Sequence, residues 1–477
     1  MRPPPPASGL ATLSATETVA MLTAGRITAV DRIRASLERI AVVQPLLNAF
    51  TAVFADEAMA LAAALDRRIA AGEVPGPLAG VPVAIKDFTP SKGHPATRGS
   101  WAISDQPGNH DPVIIRRLKA AGAIIVAKTT TPEFAYSGFT QSPRWGVTRH
   151  PLDPARSPGG SSGGAAVAVA TDCVPLAEGT DMGGSIRIPA AFCGVVGLKP
   201  SLGRIPMDIL PGNFDDMAHF GPLARDVRDA VLFLQVTQGP DQADIMSLTA
   251  RAPMPLGPVS LRGRRFALSV DLGYYRVHPG VETAVQAAAD ELGRAGAKVV
   301  NVSLPWSRSL NDLWGQIWAV TLAAAWGDAL VKERDRMDPK LVALMEEARK
   351  MDAVTFKRLE VRRTRYWHDF ARVLDDCDAF LCPTCAQPAP LIADAGADHD
   401  QTGPDGLYRG LDMTCPFNLL SPCPAISLPV GDADDLPVGL QVVGQRQADG
   451  PLLALAWAIE TALRGPSPPP EAARVIH

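Results

Sequence analysis

The chain has 477 residues, 47% of them hydrophobic and 20% charged, with a formal net charge of −4. That is the composition of a globular protein with ample material for a large core. No basic block could track a phosphate backbone, and no apolar run reaches the roughly 18 residues that span a bilayer, so nucleic acid and membrane are excluded as expected partners.

Met1 to Pro6 carries a proline run and no apolar h-region, so no secretory signal is read there and a cytoplasmic location is expected. Seven cysteines, an odd number, fit reduced thiols better than a disulfide framework. Cys382 and Cys385 form a C-x-x-C, but Cys415 and Cys423 are too far apart in sequence for a second close pair. We read structural thiols and no metal site.

In chain order, the first 70 residues look helical. Ile33, Leu37 and Ile40 fall at helical spacing, as do Ala58, Leu61 and Leu65. Gly72 to Gly80 is a turn region. Val81 to Ile85 reads as a buried strand, Pro112 to Ala121 as a helix and Ala123 to Ala127 as a strand. Ser157 to Gly164 is a Gly-rich loop before a small-residue helix, about Ala165 to Thr171. Val174 to Ala177 is the next strand, followed by a second Gly-rich loop, Gly179 to Ser185. Phe266 to Val270 and Lys298 to Val302 read as strands around a helix marked by Val281, Val285, Ala288 and Leu292 and ended by Gly296. Leu310 to about Asp376 is mostly helical, with a break near Asp338-Pro339. Its apolar stretch, Ile317 to Trp326, is expected to be buried. Ala379 to Leu381, Ala425 to Leu428 and Gly439 to Val443 are strands, and Leu452 to Leu463 is the closing helix. This β–α alternation predicts an α/β fold with a central mixed or parallel sheet. No linker splits the chain. We read one domain, about 10–465, in which residues 1–75 form an N-terminal helical layer.

Three features carry chemistry. Lys86 ends the apolar segment Gly80-Val-Pro-Val-Ala-Ile-Lys-Asp87. Such a lysine either snorkels to solvent or is buried, and burial would make it a usable base. Gly159-Gly-Ser-Ser-Gly-Gly164 places two serines between glycines, which suits a flexible turn, a helix cap or the close approach of a ligand. Gly179-Thr-Asp-Met-Gly-Gly-Ser185-Ile-Arg187 puts glycines just before a serine. Its backbone amides could converge as an oxyanion hole, or it could be a tight turn with Arg187 paired to Asp181.

Together, the stretch from Gly159 to Pro189, the Lys86 segment and Gly194-Val-Val-Gly-Leu-Lys-Pro200 resemble the amidase signature family. Weaker echoes are Asn48-Ala-Phe, Thr131-Pro-Glu133-Phe, Gly221-Pro-Leu-Ala and Asn418 through Pro429. The resemblance implies a single α/β/α domain with a mixed sheet covered by helices on both faces. It implies Ser185 as nucleophile, Lys86 as base, and Ser161, after a cis Gly160–Ser161 bond, as the bridge between them. The amides of Met182, Gly183, Gly184 and Ser185 would form the oxyanion hole. Ser162, Thr180, Asp181 and Arg187 would support the loop. No cofactor is implied, the eight histidines are read as structural or surface, and a homodimer is the expected assembly.

Gly159-x-Ser161-x-Gly163 also fits a nucleophile elbow, but Asp153 to Pro158 before it is not strand-like. No Gly-Lys-Ser/Thr ending supports a phosphate loop. The amidase subunit of glutamyl-tRNA amidotransferase shares the signature. The divergent region from about 300 to 410 favours a stand-alone amidase acting on small-molecule amides. For substrate contacts, Trp314 and Trp318 share a helix face, and with Phe134, Tyr136, Gly160 and Phe417 they either pack in the core or line an apolar or aryl pocket.

Overall fold

The computed structural model describes residues 9–396 and 401–464. Met1 to Pro6 lies outside them. Thirteen strands are present among the described residues: β1 Phe50–Val53, β2 Pro82–Lys86, β3 Ile124–Thr129, β4 Gln141–Ser142, β5 Gly146–Val147, β6 Leu176–Asp181, β7 Val196–Lys199, β8 His219–Ala224, β9 Arg265–Leu268, β10 Lys298–Asn301, β11 Ala379–Pro383, β12 Ala425–Ala433 and β13 Leu436–Val443. The α-helices are α1 Ala15–Thr23, α2 Ala29–Leu47, α3 Ala55–Ala70, α4 Val113–Ala120, α5 Gly163–Ala170, α6 Arg187–Cys193, α7 Val227–Thr237, α8 Pro279–Arg294, α9 Ser309–Glu333, α10 Pro339–Ala348, α11 Ala353–Leu374, α12 Pro416–Leu419 and α13 Asp449–Arg464.

Eleven strands form one mixed sheet in the order β1-β3-β2-β6-β8-β7-β12-β13-β11-β9-β10. The neighbours β3, β2 and β6 run parallel, as do β11, β9 and β10, and the pairs between them are antiparallel. Period-2 alternation splits each central strand between two cores. Val83 and Ile85 of β2 join one apolar cluster with α4, α7, α8 and α13, while Ala84 joins the opposite one with α2, α3 and α5. The same parity sends Ala379 and Leu381 of β11 to the first face. Phe380 and Cys382 go to the other, beneath α9, α11 and α12. Helices therefore cover both faces.

Local rules explain the boundaries. Ser14 and Glu17 form a capping box on α1, and Thr28 caps α2 by accepting the Asp31 N–H at 3.0 Å. Asn48, with φ 52°, ends α2 in the left-handed region. The chain then enters β1, so the first 70 residues are not all helical. The short β-favouring run Phe50-Thr-Ala-Val53 pairs with the edge of β3. On α3 the buried face is Ala58, Ala62 and Leu65, and Leu61 points outward. Strand β6 extends beyond the predicted Ala177 to Asp181. Gly179 is thus a strand residue, and a Cβ there would lie 2.9 Å from both Leu223 and the Ser162 hydroxyl.

Candidate active site

Lys86 sits at the carboxyl end of β2, beside the carboxyl end of the parallel strand β6. Open α/β sheets bind ligands outside such ends. The lysine is completely buried and its Nζ donates to the Ser161 hydroxyl at 2.7 Å and to the Thr180 hydroxyl at 2.9 Å. Burial pushes its pKa down to about 7, although Glu178 and Asp181 pull the other way. Near neutral pH the amine is therefore available as a base.

Ser161 lies in the turn that opens α5, and the Gly160–Ser161 peptide is cis. Ser162 occupies the N-cap position, but its hydroxyl donates to Thr180 O at 3.4 Å and does not cap the helix. Its N–H donates to Ser185 O at 3.1 Å, which ties the two serine loops together.

The segment from Asp181 to Arg187 joins β6 to α6. The Asp181 carboxylate accepts the N–H groups of Gly184 at 2.8 Å and Ile186 at 3.2 Å. Arg187 donates to it through Nε at 3.0 Å and Nη2 at 2.9 Å, with both side chains fully buried. Burial alone would raise the Asp181 pKa, but Arg187 and Asn418 outweigh it and hold the carboxyl well below its ordinary range. The tight-turn pairing and the support role thus coincide in one structure. Two carbonyls of the loop are anchored from outside: Met182 O accepts Trp314 Nε1–H at 2.9 Å, and Gly183 O accepts the Thr414 hydroxyl at 2.6 Å. Gly184 has φ 125°, and a Cβ there would overlap the Thr414 side chain. The Gly184 N–H, one of the four amides expected in an oxyanion hole, is committed to Asp181.

A cavity of about 950 Å³ opens over this loop. Ser161, Ser185, Gly160, Thr180, Asp181, Met182 and Gly183 line its floor. Phe134, Tyr136, Trp314 and Trp318 line its walls, the two tryptophans stacked with centroids 5.2 Å apart. Phe417 does not reach the cavity. It is completely buried on α12 and packs on Phe370 at 5.5 Å and Phe380 at 5.8 Å, so it belongs to the core. Ile317 to Trp326 is not a buried helix throughout: Trp318, Val320 to Leu322 and Ala324 to Trp326 face the cavity.

The Amidase family model matches residues 31–453 of this chain. The chain belongs to the amidase signature family. It is 36% identical over 462 residues to an acylamidase of Rhodococcus erythropolis, covering 94% of this chain and 95% of that one. It is also 36% identical over 477 residues to one of the subunits of the glutamyl-tRNA(Gln) amidotransferase of Symbiobacterium thermophilum, covering 94% and 96%. The crystal structure of a bacterial aryl acylamidase superposes with a TM-score of 0.88 at 31% identity, over 94% of this chain and 96% of that one. The chain is an amidohydrolase that acts on carbon–nitrogen amide bonds.

Several residues around this amidase's site received no role from the sequence, although Lys199 and Asn418 lie inside the motifs that carry the resemblance. Glu178 is buried on β6 and accepts the Lys86 N–H at 2.9 Å and the Thr89 hydroxyl at 2.9 Å. Burial raises its pKa. Asn418 and Gln441 accept from Arg187 at 2.5 and 2.6 Å. Lys199 is buried among carbonyls, 2.8 Å from Cys423 O, and burial followed by the Arg187 charge brings it down to about 7. His219 contacts Asp181 O at 3.2 Å, and burial with the Lys199 charge lowers it to about 3, so it is neutral and structural. The available signal was a charged residue inside an apolar strand, as at Glu178 and Lys199. The thiols of Cys382 and Cys385 are buried. That of Cys382 is pushed up to about 12 by burial and accepts Gln441 Nε2 at 3.2 Å. Among the described residues no helix is long and apolar enough to cross a membrane.

Proposed function

We propose that this amidase cleaves carboxamides through an acyl-enzyme on Ser185. Neutral Lys86 takes the proton of Ser161, Ser161 takes that of Ser185, and the Ser185 oxygen attacks the amide carbon. The N–H groups of Met182, Gly183 and Ser185 hold the charge that develops on the carbonyl oxygen. The relayed proton then passes to the nitrogen as the C–N bond breaks, and the amine leaves neutral. Water attacks the ester by the same relay, releasing the carboxylate and restoring the Ser185 hydroxyl. The observation that carries this reading is the 2.7 Å bond from buried Lys86 to Ser161, on the floor of the cavity that also holds Ser185.

The aromatic walls support a preference for apolar or aryl amides over glutamine. In a panel of amides, faster turnover of small polar members would remove that preference. The same reading makes the enzyme a cytoplasmic homodimer, and a monomer by light scattering would remove the dimer. For the nucleophile, Ser185→Ala should abolish covalent labelling by a fluorophosphonate and the acyl adduct seen by mass spectrometry. Labelling at the full rate in that variant would move the nucleophile elsewhere.

A further inference from the structure

Glu133 has no part in the chemistry above and does not line the cavity, yet its side chain is completely buried. It follows β3 in Thr131-Pro-Glu-Phe, and its two oxygens reach different parts of the chain. One accepts the Ser100 hydroxyl at 2.6 Å. The other accepts the backbone N–H of Asp338 at 2.6 Å. Asp338 is the N-cap of α10, where the turn from α9 ends. Its carboxylate accepts the Lys340 N–H at 2.9 Å and is hydrogen-bonded to Tyr136.

What lies between these anchors is the cavity. Phe134 and Ala135 have φ of 48° and 59°, a region that non-glycine residues hold only when their surroundings impose it. That local twist presents Phe134 and Tyr136 to the cavity. From the opposite side α9 and α10 bring Trp318, Leu322, Trp326 and Leu344, and Phe134 stacks on Trp326 with centroids 5.2 Å apart. Apolar side chains can slide past one another at little cost. A buried carboxylate bonded to an N–H cannot let go without leaving its own charge unpaired.

We infer that Glu133 is a specificity-determining positioning residue: its bond to the Asp338 N–H clasps the α9–α10 turn to the Phe134–Tyr136 segment and fixes the aromatic end of the cavity. The inference rests on the amidase reading of this site, and it says which residue makes that site selective for bulky acyl groups. Glu133 acts through the walls and not on the reacting atoms, so its loss separates large substrates from small ones.

The test uses the full chain with two amides that both release ammonia, 2-naphthamide and propionamide. Glu133→Ala should raise KM for naphthamide about tenfold, with kcat changed less than about threefold and propionamide hydrolysis unchanged within about twofold. Glu133→Gln should restore naphthamide, because its amide oxygen can still accept the Asp338 N–H while its NH2 faces the Ser100 oxygen. If Glu133→Ala does not fold, Asp338→Pro is compared with Asp338→Ala, because both lose the carboxylate that caps α10 and bonds Tyr136 and only the proline also loses the N–H. The proline removes the donor at φ −61°, which proline adopts, after the extended residue Met337. Relative to Asp338→Ala, it should show the same selective loss. Labelling of Ser185 by an aryl and a methyl fluorophosphonate makes the comparison independently of amide turnover, so a failure of the substrate reading is distinguishable from a failure of the clasp. Equal losses on both members of a pair, no loss on the bulky member, or no rescue by Gln would each overturn the inference.

Discussion

A lysine that ends an apolar strand has two fates, and this chain contains both in buried form. Lys86 ends β2 and Lys199 ends β7, and burial brings each down to about 7. Only Lys86 meets a serine hydroxyl, while Lys199 is ringed by carbonyls. Strand position alone could not tell them apart. The glycine-flanked serines could, because Ser161 and Ser185 have unusual backbone demands written around them. Glu178, Asn418 and Gln441 carry no such mark; their roles exist only through partners far along the chain. On the proposed relay the neutral form of Lys86 acts, so kcat/KM should be low in acid, rise as pH passes about 7 and level off above. A pH–rate profile of the wild-type enzyme checks this. An acid limb down in the carboxylate range would mean that a different group accepts the proton.

At the scale of elements, eight of the main sheet's eleven strands and most helices were legible because their apolar patterns are clean, while β1, β7 and β8 carried no strand reading. Errors came where tertiary contact overrides local pattern. Gly179 and Thr180 read as loop, yet β6 runs through them because β8 pairs there, Gly179 opposite Gly221. Phe417 was open between core and pocket, and α12 turns it into the core under β11. Ile317 to Trp326 read as buried because apolar residues line a cavity as readily as they fill a core. The same helix does more than line the site. Trp314 on α9 donates to Met182 O and so holds the loop before Ser185 from above. Trp314→Phe keeps the ring stack and removes that donor. One hydrogen bond of about 1 kcal/mol should then be missing from the loop, lowering kcat roughly three- to tenfold on large and small amides alike. Steady-state kinetics on both classes decides it. A loss confined to the bulky amide would make Trp314 a wall residue only.

Across the whole molecule, one buried ion pair joins pieces of chain that are remote in sequence. Arg187 reaches Asp181 on its own loop, Thr414 O and Asn418 around α12, and Gln441 on β13, contacts that span up to 254 residues. The pair thereby fixes the loop before Ser185 to the far half of the sheet. Burying two charges is costly, and such a pair earns little stability against a well-packed apolar substitute; removing one partner is a different matter, because the other is left charged and dry. Arg187→Met should therefore destabilise the fold by about 3–5 kcal/mol near neutral pH. Lys at this position should not rescue it, since a point charge cannot serve four acceptors in a plane. The pH dependence separates this cause from simple loss of packing. In the wild type Asp181 is held well below its ordinary pKa, so its contribution is full above about pH 4 and fades as pH falls below that. In Arg187→Met the buried carboxyl should instead hold its proton, so the variant loses stability as pH rises. Denaturant unfolding of both proteins from acid to neutral pH should show the gap widening upward. A gap independent of pH would assign the loss to packing and leave the ion pair without a stabilising role.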